Sequence, residues 1–86
     1  MKVHIPSPLR SYTKERSQVE AEGATLRELL AELDRQFPGI RFRMIDEQDR
    51  VRQHIKLFVD GELCGTLDAG LRVGGEVHII CAISGG

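Results

Sequence analysis

Leu26, Leu29, Leu30, Leu33 and Phe37 recur at i, i+3, i+4, i+7 and i+11. This spacing predicts one amphipathic helix over residues 25–37, with a single apolar stripe. Thr25 and Glu28 have the T-x-x-E spacing of a capping box, and Pro38-Gly39 follows as a stop signal. A lone helix cannot cover its own stripe, so the rest of the chain must supply an apolar surface for it. The other apolar residues mostly alternate with polar ones, which is the period of half-buried strands. An α+β domain with one helix against one sheet is therefore expected. The 86 residues and 9.6 kDa allow one such domain, 1–86.

The expected strands are 2–6, 18–22, 54–60, 63–67 and 77–83. Val3 and Ile5, then Val19 and Ala21, then Ile55, Leu57 and Val59, then Val77, Ile79, Cys81 and Ile83 face the helix. The predicted core is Leu26, Leu29, Leu30, Leu33, Ile55, Leu57, Val59, Val77, Ile79 and Cys81. Asp60-Gly61 marks a hairpin turn, because a type I′ turn needs positive φ at both central residues. Residues 46–50 form a polar turn, and 9–14 a polar connection. Segment 40–45 fits two periods: Ile40, Met44 and Ile45 suit a helical turn, whereas Ile40, Phe42 and Met44 alternate. The order β-β-α-β-β-β suits the β-grasp architecture, in which the first and last strands lie parallel at the centre of a mixed sheet.

Several function classes fall away. Twelve Lys+Arg against thirteen Asp+Glu leave a net charge of −1, without the basic excess that phosphate binding demands. No nucleic-acid partner is expected. The longest apolar run, 79–83, is far below the roughly 20 residues of a membrane span. The start of the chain has no apolar stretch of signal-peptide length, so a soluble, cytoplasmic protein is expected, with no membrane partner. Gly70 and Gly75 have phosphate-loop spacing, but Glu76-Val77 stands where Lys-Ser/Thr is required. His78 and Cys81 point to opposite faces of a strand and cannot chelate one ion. Cys64 and Cys81 are too few for an iron–sulfur site. His4, His54 and His78 read as surface residues on the helix-free face. No catalytic side chain, bound cofactor or metal is expected.

What remains is Cys81-Ala82-Ile83-Ser84-Gly85-Gly86. A strand leads almost directly into Gly-Gly, so the α-carboxylate itself is the candidate reactive group. A tail without side chains can enter a narrow channel, and glycine tolerates the backbone angles needed there. A flexible tail is expected at 84–86. A terminus of no function, on a plain interaction domain, is the competing reading.

The chain resembles the MoaD/ThiS family of ubiquitin-like sulfur carriers. The resemblance rests on the first strand, the helix beginning Thr25-Leu26, Ile55-Lys56-Leu57-Phe58-Val59-Asp60-Gly61-Glu62, the turn Gly74-Gly75-Glu76-Val77, and Ser84-Gly85-Gly86. Phe37-Pro38-Gly39-Ile40 and Arg52-Gln53-His54-Ile55 look most like carriers of amino-acid synthesis. The turn departs from the family's common Gly-Asp-Glu-Val, with Gly75 in the Asp position. Cys81-Ala82 stand where prolines are often found.

The resemblance implies a protein co-substrate rather than an enzyme. An E1-like enzyme would use ATP to adenylate Gly86, and a sulfur donor would convert it to a thiocarboxylate. A biosynthetic acceptor enzyme (for cysteine, homocysteine or another sulfur-containing metabolite) would take the sulfur, and a zinc peptidase is a further implied partner. Ser84 and Gly85 would be recognised as the tail. The small subunit of molybdopterin synthase and a ubiquitin-like modifier joined through Gly86 are the alternatives. Strand parity puts Phe58, Ile80 and Ala82 on the face away from the helix, rimmed by His4, His78 and Lys56. That patch is the expected docking surface for the activating enzyme.

Overall fold

The computed structural model describes residues 1–82. The elements are β1 (Lys2–His4), a 3-10 helix (Ser7–Thr13), β2 (Gln18–Glu20), α1 (Leu26–Gln36), α2 (Ile40–Met44), β3 (Ile55–Val59), β4 (Glu62–Cys64) and β5 (Glu76–Cys81). The five strands form one sheet in the order β2-β1-β5-β3-β4. β1 and β5 pair in parallel at the centre, and the other neighbours are antiparallel. This is the expected β-grasp arrangement.

Helix α1 starts and stops one residue inside the predicted bounds, with Leu26, Leu29, Leu30 and Leu33 fully buried. Each such burial is worth about 1.5–3 kcal/mol over exposure. Its N-terminus is closed by a distant loop as well as by its own cap. Thr25 Oγ1 accepts the Glu28 N–H at 3.3 Å. The Leu26 and Arg27 N–H groups donate to Ala69 O and Leu67 O, at 3.0 and 2.8 Å. Glu28 reaches back to the Ala24 N–H, at 3.0 Å, rather than to the cap residue itself. Gly23 lets the chain cross this end: a Cβ there would lie 2.4 Å from Leu29 N.

The structure corrects several local expectations. Residues 9–14 are more than a polar connection, because Ser7–Thr13 is a 3-10 helix that buries Leu9 and Thr13. Pro8 near its start presets a helical φ, and Thr13 Oγ1 is satisfied by the Arg10 and Arg16 carbonyls. Within segment 40–45, Ile40–Met44 is helix and Ile45 is extended. Gly39, at φ +98°, turns the chain, and Asp34 Oδ1 accepts the Gly39 and Arg41 N–H groups, both at 3.1 Å. Ile40, Met44 and Ile45 are buried, and Phe42 is left exposed. Strands 2–6, 18–22, 54–60 and 63–67 are shorter than expected. Leu67 leaves the sheet to cap α1 yet remains buried. For 77–83, β5 ends at Cys81, and Ile83 lies outside the described residues.

The core is larger than the ten predicted residues. Val3, Ile5, Leu9, Val19, Ala21, Ile40, Met44, Ile45 and Leu67 join eight of them. Val59 and Cys81, each the last residue of its strand, are half-buried and pack against the core from its margin.

Candidate functional site

Residues opposite each other in a ladder project to the same side of a sheet. The registers Gln18↔His4, His4↔His78, His78↔Phe58 and Phe58↔Leu63 therefore form one row across all five strands on the open face. Ile80 lies opposite Lys56 on that same face. Phe58 is half-buried, Ile80 is 45% exposed and Ala82 is exposed. Phe58 and Ile80 therefore share the open face, with Leu63, 62% exposed, beside Phe58. Sequence reasoning missed Leu63, although a two-residue Asp60-Gly61 turn already sets Leu63 opposite Phe58.

The hairpin at one edge of this face is locked by charge. Asp60 (φ +50°) and Gly61 (φ +87°) have the positive dihedrals of the predicted turn. Asp60 Oδ1 accepts the Glu76 N–H at 2.9 Å, and Oδ2 accepts from Arg72 Nε at 3.1 Å. The Glu76 amide first, then the Arg72 guanidinium, hold the Asp60 carboxyl below its ordinary range. A Cβ on Gly75 would sit 2.7 Å from Asp60 Oδ1. The departure noted at Gly75 is thus explained: Asp60 fills the space where a side chain would stand.

At the other end, β5 leads toward the tail. The Ala82 N–H donates to His54 O at 2.7 Å, extending the β3–β5 ladder past Cys81. A cavity of about 480 Å³ opens beside Ala82, walled by Pro8, Tyr12, Arg43 and His54. Arg43 Nε donates to the Tyr12 hydroxyl at 2.6 Å, and Arg52 Nε to Phe42 O at 2.7 Å. Among the described residues, Arg27, Arg35, Arg41, Arg50 and Arg72 are paired with carboxylates, whereas Arg10, Arg16, Arg43 and Arg52 have none. Arg10, Arg43 and Arg52 line the hollows around Ile80, Cys81 and His54, so an unpaired basic rim surrounds the root of the tail.

Cys64 and Cys81 are free, and burial pushes the Cys81 thiol up, leaving it protonated at neutral pH. Ser84, Gly85 and Gly86, the residues on which the carrier reading turns, lie outside the described residues. The three histidines are not all simple surface residues. His54 is exposed, but His4 is half-buried, hydrogen-bonded to Glu76 and stacked on His78.

A central parallel pair of strands, one long helix on one face, and a last strand running out toward the C-terminus define a ubiquitin-like β-grasp protein. The ThiS family model matches residues 3–86, and the chain belongs to the ThiS family. It is 30% identical over 89 residues to the sulfur carrier protein CysO of Mycobacterium tuberculosis, spanning 98% of this chain and 96% of that protein. The CysO chain in the crystal structure of the Amycolatopsis orientalis BexX/CysO complex is similar, with TM-score 0.91 and 32% identity over 99% of this chain and 98% of that one. The small archaeal modifier protein 1 of Methanosarcina acetivorans shares the fold, with TM-score 0.81 at 19% identity, over 99% of this chain and 94% of that one. No helix among the described residues is long and apolar enough to cross a membrane.

Proposed function

We propose that the chain is a sulfur carrier whose reactive group is the Gly86 carboxyl, and that it serves partner enzymes as a co-substrate. The observation that carries this reading is the family match over residues 3–86, which runs through Ser84-Gly85-Gly86. A carboxylate is a poor electrophile. In the proposed route, a Gly86 oxygen attacks the α-phosphate of ATP on an E1-like enzyme and pyrophosphate leaves. Hydrosulfide then attacks the acyl carbon, the bond to AMP breaks, and a thiocarboxylate remains. That sulfur is the nucleophile delivered to a biosynthetic acceptor enzyme making cysteine, homocysteine or a related sulfur metabolite. A zinc peptidase that trims the C-terminus completes the proposed set of partners.

The described residues would dock and aim the tail. Phe58, Leu63, Ile80 and Ala82 provide apolar contact, while Arg10, Arg43 and Arg52 favour an acidic partner surface around the tail's entry point. Ser84 and Gly85 are the slim segment threaded into the channel.

The test uses the 86-residue chain with the E1-like enzyme of its own host, ATP and hydrosulfide. Mass spectrometry should find one oxygen replaced by sulfur. Appending one residue after Gly86 moves the carboxylate by about 3.5 Å, and a misplacement of about 1 Å can already cost about 100-fold. ATP–pyrophosphate exchange should therefore collapse while binding persists. Exchange at the wild-type rate by the extended chain overturns the reading.

A further inference from the structure

β1 and β5 run parallel with Lys2 opposite Glu76 and His4 opposite His78. Glu76 and His78 are two residues apart on β5, so both project from the open face beside His4. His4 Nε2 and Glu76 Oε1 are 2.7 Å apart, and the His4 and His78 rings stack with centroids 3.9 Å apart and planes within 5°. One ligand atom from each of the three residues lies within 4.8 Å of the other two. Around a tetrahedral ion with bonds of about 2.0–2.1 Å, neighbouring donors stand about 3.3 Å apart. The cluster is thus near the size of a coordination shell before any ion enters. Closing it requires the stacked rings to splay so that both lone pairs converge, a side-chain rotation that leaves the strands in place.

We propose that His4, Glu76 and His78 form a binding site for one divalent transition-metal ion of the zinc class. Two imidazoles and one carboxylate favour zinc, cobalt or nickel over magnesium or calcium. Three protein ligands leave a tetrahedral ion one open position. The cluster is only partly buried, with the His4 side chain 30% and the Glu76 side chain 47% exposed, so that position faces outward. Lys2, opposite Glu76, is a nearby positive charge that opposes cation binding. A bound ion would join the first and last strands of the sheet. It would also sit in the same cross-strand row as Phe58 and Leu63, presenting its open position to whatever docks there. The site is separate from the tail and stands whether or not Gly86 is activated.

The test is calorimetric titration of the untagged chain with Zn²⁺, in a Cys64→Ser, Cys81→Ala background that removes competing thiols. One ion per chain is expected. His4→Ala and His78→Ala should each weaken affinity at least about tenfold, since even outer-shell changes cost 10–100-fold. His54→Ala, which removes the histidine outside the cluster, should leave affinity unchanged. His78→Gln repeats the test with little change in bulk, and circular dichroism confirms that each variant is folded. In a second measurement, Co²⁺ should shift the NMR ring signals of His4 and His78 far more than those of His54. No Zn²⁺ uptake, or uptake that His54→Ala reduces as much as His78→Ala, overturns the proposal.

Discussion

The two faces of the sheet obey different rules. Toward α1, nearly every position is aliphatic and closed to solvent: Val3, Ile55, Leu57, Val77 and Ile79 meet Leu26, Leu29, Leu30 and Leu33. On the open face, one row alone holds an amide, two imidazoles, an aromatic ring and an exposed leucine. The covered face has one requirement, the exclusion of water at interior density, and many aliphatic sequences satisfy it. The open face is free of that demand, so its chemistry reflects what it must contact. Stability resides on one side of the sheet, and the proposed recognition surface lies on the other.

Substitutions on each side can break or sharpen that division. Leu30→Ala on the covered face should lose about 2–5 kcal/mol, a large share of a small domain's stability, read from denaturant unfolding. Gly75→Asp restores the residue common in the family's turn, yet here it forces a carboxylate into the Asp60 clamp. It should cost about 1–3 kcal/mol, the usual scale of overpacking. A double variant that also carries Asp60→Gly should recover part of the loss; if it recovers none, the clamp is not the cause. Phe58→Asp on the open face should change stability by less than about 1 kcal/mol, while weakening binding to the activating enzyme. A fall in stability as large as that of Leu30→Ala would show that the two faces are not separable.

The smallest effect concerns an exposed ion pair remote from both faces. Arg35, with help from the Gln36 amide, lowers the Glu32 carboxyl to about 2. A carboxyl group lowered on folding stabilises most above its unfolded value, and that contribution fades as pH falls toward the folded one. Glu32→Gln should therefore lower the unfolding midpoint slightly at neutral pH and progressively less as the pH falls through about 2. The difference should decline from about pH 4.5 down through pH 2, and it should shrink in high salt.

The covered face was the more legible of the two. The leucine spacing, the T-x-x-E cap and the alternation of Ile55, Leu57, Val77 and Ile79 each report a demand repeated along the chain. Leu9, Ile40 and Met44 escaped the core prediction because their segments are too short to establish a period. Ile45 and Leu67 are buried outside any strand or helix, past the ends of α2 and β4, where a period no longer reports on burial. On the open face, parity within a strand sufficed to place Phe58, Ile80 and Ala82. Parity also removed His78 and Cys81 as a metal pair, but it is silent about neighbours on other strands. The meeting of His4 with Glu76 and His78 depends on the β1–β5 register, which no local pattern records. The proposed reactive tail was legible as composition and family resemblance rather than as geometry.

The central position of β5 has a mechanical consequence. A partner that draws on the tail pulls along the axis of this strand, which is flanked by β1 in parallel and β3 antiparallel. Ladder hydrogen bonds lie across that axis, so the load is carried as shear, shared by both ladders at once instead of opening them one bond at a time. An edge strand in the same role would have one ladder to resist the pull. With β5 at the centre, the domain can be towed by its end without being unzipped.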